Sequence, residues 1–207
     1  LAMQWQSHAF TPEQKARNVD YYERRTVRDS SLSACTQAVM CAEVGHLELA
    51  HDYAYEAALI DLRDLHANTR DGLHMASLAG AWTALVAGFG GLRDDEAILS
   101  LDPQLPDAMA CLRFRLRWQG CRLTVCATHD DVTYTLRDGP DGKLTIRHAG
   151  EELELSTEEP TTVPVRVREP MLPPPHQPPG REPVHRRTVA SRRLAAQTGP
   201  SPRAAEG

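Results

Sequence analysis

Apolar and polar residues follow two rhythms along this chain, a helical one before Arg93 and a strand-like one after it. Thr11-Pro12-Glu13-Gln14 places a hydroxyl at an N-cap, a proline at the first helical position and a glutamine at the capping-box position, which predicts a helix through about Tyr22. Asp29-Ser30-Ser31-Leu32-Ser33 offers several caps for a second helix, in which Val39 and Met40 precede a stop at Gly45. From Leu47 to Leu62, the positions Leu49, Ala50, Tyr53, Ala54, Ala57, Ala58 and Ile60 recur at helical spacing, so the opposite face, with Glu48, Asp52 and Glu56, is expected to meet water. Leu73 to Phe89 is apolar nearly all round and is expected to be enclosed by other elements.

Past Arg93 the beat becomes two. Leu112, Phe114, Leu116 and Trp118 alternate with Arg113, Arg115, Arg117 and Gln119, and Leu123/Val125, Val132/Tyr134/Leu136 and Leu144/Ile146 repeat the pattern. Turn residues at Gln119-Gly120, Asp138-Gly139-Pro140-Asp141-Gly142 and Ala149-Gly150 separate half-buried antiparallel strands. The expected class is α+β: helices over residues 1–93, a small antiparallel β-sandwich over 94–168, and a Pro/Arg-rich tail over 169–207. Of 15 prolines, 11 lie from Pro160 onward, so the tail is expected to be disordered, and removing 171–207 is expected to leave the melting temperature almost unchanged.

Charge divides at the same place. Residues 1–159 hold 15 Lys+Arg against 25 Asp+Glu, and 160–207 hold 8 against 3, within a formal net charge of -5. Five cysteines without a CxxC pair read as reduced, buried thiols, and with no basic, apolar leader and no long apolar run the expectation is a cytoplasmic protein without a membrane partner. Leu1-Ala2-Met3-Gln4-Trp5 reads as the end of a helix already under way, which suggests a missing N-terminal part. His129-Asp130-Asp131 reads as a turn and not a metal site, the Arg113/Arg115/Arg117 ladder as a solvated strand face, and the arginine pairs of the tail as solvated, so neither metal nor nucleic acid is expected.

One arrangement suggests chemistry. If the helices beginning near 30, 47 and 73 pack as consecutive antiparallel neighbours, the first and third point their N-termini the same way. Ser30, Ser31 and His74, with Ser77 one turn on, then gather hydroxyls, free N–H groups and an imidazole at two positive helix ends, a set suited to an oxyanion such as phosphate. The same residues also fit plain capping serines and a polar histidine at the edge of an apolar helix.

Several motifs in order resemble a known family. Tyr21-Tyr22-Glu23 with Arg28-Asp29-Ser30-Ser31-Leu32-Ser33, then Asp71-Gly72-Leu73-His74-Met75-Ala76-Ser77-Leu78-Ala79-Gly80-Ala81-Trp82, then Gly88-Phe89-Gly90-Gly91-Leu92-Arg93, are similar to the C-terminal end of the catalytic domain of glycoside hydrolase family sixty-five, the maltose, trehalose and kojibiose phosphorylases. The resemblance covers about residues 1–158 and implies the end of an (α/α)6 toroid followed by the family's small β-domain. It implies that Ser30, Ser31 and His74 bind inorganic phosphate as co-substrate, with no other cofactor, and that Arg28, which replaces a histidine of several relatives, and Ser77 support the site. Phosphate then attacks the anomeric carbon of a disaccharide while a carboxylic acid protonates the departing oxygen, giving β-glucose 1-phosphate. No residue here matches that general acid; Glu13, Glu23 and Glu43 sit in ordinary helical contexts, so the chain alone is expected to be inactive. The resemblance leaves a homodimeric full-length enzyme open. The alternatives are a hydrolase of the same family and a non-catalytic interaction fragment.

Overall fold

The computed structural model describes residues 1–94 and 97–186. A short helix α1 (Ala2–Trp5) leads to α2 (Pro12–Glu23), α3 (Ser33–Glu43), α4 (Leu47–Leu59) and α5 (Met75–Thr83), the last continuing as a π-helical segment, Ala84–Phe89. The capping box at Thr11 forms as its sequence requires: the Gln14 N–H donates to Thr11 Oγ1 at 3.3 Å, and the Thr11 N–H donates to Gln14 Oε1 at 2.9 Å.

Seven strands follow in two sheets. β2 (Leu112–Trp118), β3 (Cys121–Ala127), β4 (Asp131–Asp138) and β7 (Thr161–Pro164) form an antiparallel sheet in that order. β5 (Lys143–His148) and β6 (Glu151–Ser156) form a second sheet, completed by β1 (Ser100–Leu101), which pairs with β5 in parallel and so departs from the all-antiparallel expectation. Positive φ at both Gln119 and Gly120, and at both Ala149 and Gly150, makes the two tight hairpins that the turn residues predict. The alternation of β2 holds: Leu112 and Phe114 are buried while Arg113, Arg115 and Arg117 are exposed.

Helices and sandwich share one apolar core, which runs from Met40, Ala50 and Tyr53 through Val86 and Phe89 to Phe114, Leu123 and Ile146. Gly90 makes this junction possible, because a methyl group there would press on the Phe114 ring and on the Val86 carbonyl. Glu43, at the end of α3, ties the halves electrostatically. It accepts from Ser7 Oγ at 3.1 Å and Arg93 Nη2 at 2.7 Å, and it pairs with Lys15. Burial pushes its carboxyl up, but the Arg93 and Lys15 charges outweigh this and hold it below the usual glutamate range.

Four expectations need correction. First, the segment from 169 to 186 is packed, not disordered; residues 187–207 lie outside the described residues. Arg168 binds the Glu43 carbonyl at 2.6 Å and pairs with Asp102, Gln177 reaches Glu23 at 3.1 Å, and Arg181, Val184, His185 and Arg186 hold Asp29, Glu56 and Asp52. A proline-rich strap needs no apolar period when side-chain ion pairs fasten it. Secondly, the α4 face assigned to water is covered in part: Asp52 is 7% exposed and Glu56 half-buried, while Glu48 meets water as expected, and Ala58, expected inside, is exposed. Thirdly, the apolar helix from 73 is enclosed on one side only, since Met75, Leu78, Trp82 and Leu85 form a stripe that no described element covers. Fourthly, only three cysteines are buried; Cys111 is exposed and Cys126 half-buried.

Deleting residues 169–207 should strip Asp52 of His185 and Arg186 and Glu23 of one of its three donors, and cost about 3 kcal/mol, or roughly 6–12 °C in melting temperature. Thermal unfolding of the truncated chain checks this, and an unchanged Tm contradicts it.

Candidate functional site

The direction of the helices decides where the candidate residues meet. Gly80 of α5 lies against Cys35 of α3, and Gly88, two turns on, lies against Val39 and Ala42. Rising contacts on both helices mean that α3 and α5 run the same way, with α4 antiparallel between their ends: Gln37 meets Tyr53, and Ala34 and Cys35 cluster with Ala57. His74 is the N-cap of α5, six residues before Gly80, and Ser30 precedes the first turn of α3, five residues before Cys35, so both lie on the N-terminal side of one shared contact level. The Ser30-Ser31 turn and His74 thus occupy one end of the helical layer.

Ser30 is exposed and Ser31 half-buried. Neither caps α3 in the usual way. Ser30 Oγ instead accepts the Leu32 N–H at 3.3 Å, and α3 starts at Ser33 with no side-chain cap, so the N–H groups of Ala34 and Cys35 have no partner among the described residues. On the other helix, His74 is the N-cap residue. Its N–H donates to Asp61 Oδ2 at 2.9 Å and its Nδ1 sits 2.6 Å from Asp61 Oδ1. The hydrogen bond from His74 is the largest influence on the Asp61 carboxyl and holds it below the usual aspartate range. A carboxylate on Nδ1 fixes the ring and directs Nε2 away from Asp61. The His66 ring stands edge-on to this imidazole, 5.8 Å away.

Asp61 is a site residue that the sequence did not single out. It lies past the end of α4 in an ordinary acidic stretch, 13 residues from its partner, and only the packing of α4 on α5 brings the two together.

The two supporting candidates play other parts. Ser77 is fully buried and donates to the Ala57 carbonyl at 3.3 Å, so it fastens α5 to α4 and does not face the open end. Arg28 has a φ of 63°, a conformation that costs a non-glycine residue about 1–2 kcal/mol, and its guanidinium is held inside. It pairs with Glu56, donates from Nε to Gln37 Oε1 at 3.0 Å and from Nη1 to the Arg181 carbonyl at 2.7 Å, and lies over the Tyr53 ring.

Glu23 is no free acid either. Its carboxylate, 4% exposed, accepts from Tyr53 Oη at 2.5 Å, Gln37 Nε2 at 2.6 Å and Gln177 Nε2 at 3.1 Å. Burial, then the Glu23 charge, pushes the Tyr53 hydroxyl far above its ordinary range, so the phenol stays a donor. Among the described residues no group of three or more His, Cys, Asp or Glu side chains is placed to hold a metal ion, and no helix is long and apolar enough to cross a membrane.

Comparison with known proteins adds the family. Residues 1–83 match the model of the glycosyl hydrolase family 65 central catalytic domain, and residues 92–155 match that of the family's C-terminal domain. An uncharacterized glycosyl hydrolase of Mycobacterium leprae is 83% identical over 187 residues, 90% of this chain and 24% of that protein. An alpha,alpha-trehalose phosphorylase of Geobacillus stearothermophilus is 40% identical over 143 residues, 69% of this chain and 18% of the relative. A solved structure assigned as a kojibiose phosphorylase from the human microbiome superposes with a TM-score of 0.74 at 30% identity, over 81% of this chain and 24% of its own. The chain therefore spans about a quarter or less of the length of these relatives.

The Asp61 bond makes a spectroscopic prediction. In neutral His74 the proton should reside on Nδ1, and Asp61→Ala should return it to the commoner Nε2 position. Imidazole nitrogen NMR checks this; an Nε2 proton in the unaltered chain contradicts the arrangement.

Proposed function

The chain belongs to glycosyl hydrolase family 65, and from that premise we propose that it is the C-terminal part of an inverting disaccharide phosphorylase in which Ser30, Ser31 and His74 hold inorganic phosphate. The substrate is a trehalose-, kojibiose- or maltose-type α-glucoside, and the products are β-glucose 1-phosphate and a free sugar. A phosphate oxygen attacks the anomeric carbon, the glycosidic bond breaks, and the departing oxygen takes its proton from a carboxylic acid on the other face. That acid comes from a part of the polypeptide other than this segment, since Glu23, the carboxylate nearest the tyrosine pair, is spent on three internal donors.

One observation carries the reading: the parallel course of α3 and α5, which sets two N–H groups unpaired among the described residues and two serine hydroxyls at the same end as an imidazole locked by a carboxylate. Neutral hydroxyls and helix dipoles position an anion without cancelling the charge it needs as a nucleophile. A hydrolase needs a carboxylate base there to activate water; serine, serine and histidine do not supply one, and the nearby Asp61 carboxylate is engaged through both oxygens by His74. The exposed stripe of Met75, Leu78, Trp82 and Leu85 is a face that further helices of an (α/α)6 toroid would cover. Five free cysteines suit a reducing compartment, so we read the protein as cytoplasmic, and the segment by itself as inactive.

In a full-length enzyme carrying this segment, Ser31→Ala and His74→Ala should each raise the KM for phosphate by about tenfold or more while moving the KM for disaccharide little. Steady-state release of glucose 1-phosphate reads both. Equal turnover without phosphate points instead to hydrolysis.

A further inference from the structure

We propose that Arg181, supplied by the C-terminal strap, is the cation of this anion site; the inference rests on the phosphate reading above. Serine hydroxyls and dipoles leave the site without a fixed positive charge of its own. Arg28 has the right place in sequence, but its side chain is only 5% exposed, and Glu56, Gln37 and the Arg181 carbonyl already engage all three of its nitrogens. A guanidinium paired with a carboxylate at such low exposure has little charge left for a ligand.

Arg181 differs in each respect. It enters 152 residues downstream of Asp29, and its Nη1 donates to Asp29 Oδ1 at 2.7 Å and to the Val27 carbonyl at 2.8 Å. Its Nε and Nη2 have no partner among the described residues, and its side chain is 43% exposed. Asp29 is itself 74% exposed, so it orients the fork while water screens the pairing. Asp29 is also the residue immediately before Ser30, which ties the guanidinium to the turn carrying the serines.

The surrounding space fits a polar ligand. Arg181 lines a cavity of about 360 Å³ with Arg28, Asp29, Glu56, His66 and Asn68; the serines and His74 border it and do not line it, Asp29 being the residue before Ser30 and the His66 ring standing 5.8 Å from that of His74. An anion held where the Ser30 turn and His74 border this cavity would meet the Arg181 guanidinium edge, which offers phosphate oxygens a bidentate geometry. Arg28, which stands in place of a histidine of several relatives, acts one step back: it grips the Arg181 carbonyl and so holds the strap in place. The strap lies beyond residue 155, where the family match ends, so this chain assembles the site from two distant stretches of sequence.

Titrating the chain with inorganic phosphate, by calorimetry or by amide NMR, tests the assignment. Arg181→Ala should weaken binding roughly tenfold, the effect of one charge-assisted hydrogen bond, with little change in Tm. Arg181→Gln, which keeps a donor for the Val27 carbonyl but no charge, should lose as much, and Arg181→Lys, which keeps the charge but not the fork, should recover only part of the affinity. If Ser31→Ala abolishes binding while Arg181→Ala and Arg181→Gln leave it unchanged, the Arg181 assignment fails and the phosphate reading survives. If the unaltered chain takes no phosphate, or Ser31→Ala and His74→Ala have no effect, both fail.

Discussion

A carboxylate buried among helices must be answered by donors or it unfolds what surrounds it, and Glu23 is answered three times. Tyr53 of α4 donates from one side, Gln37 of α3 from another, and Gln177 of the strap closes the third. Beside it, the Arg28–Glu56 pair continues the seam toward the Ser30 turn. α2, α3, α4 and the strap all contribute to this polar seam, so the serine turn is held by buried charge chemistry as much as by apolar packing. The exit of α2 and the left-handed backbone at Arg28 follow from it: the guanidinium stays inside because three acceptors are waiting, and the main chain bends to allow that.

From that seam the functional end takes its form. Parallel α3 and α5 give two helix N-termini side by side, and α4 returns between them carrying Tyr53 and Glu56, with Asp61 just past its end. The Asp61–His74 couple resembles in its physics any carboxylate-oriented imidazole, in which one ring nitrogen is occupied so that the other is aimed. A phosphate placed there meets donors that do not neutralise it, which is what a nucleophilic anion requires. The sandwich bears on this end through the core that runs from Phe89 to Phe114 and through the strap that follows β7.

Local signals were legible where local physics decides. The capping box at Thr11, the inner face of α4 from Leu49 to Ala57, and the alternation of β2 all stand as the pattern implies, because each depends on residues within a few positions of one another. What failed to show was long-range. Asp52 looks like a solvated acid until Arg186, 134 residues away, pairs with it. Arg28 reads as an open donor because Glu56 and the strap are invisible from position 28. The strap itself has the composition of a disordered tail, since proline and arginine carry no apolar period and ion pairs leave none. Asp61 had no signal beyond one more acid at a helix end. The candidate serines and His74 were readable only because helix order constrains direction; their shared end follows from topology, not from spacing.

The most direct trial is an amide NMR titration of the chain with inorganic phosphate, following every backbone signal. The account predicts saturable shifts confined to residues 28–35, 74–77 and 181. Shifts centred on the exposed arginines of β2 and β4, with the Ser30 turn and His74 silent, would contradict it.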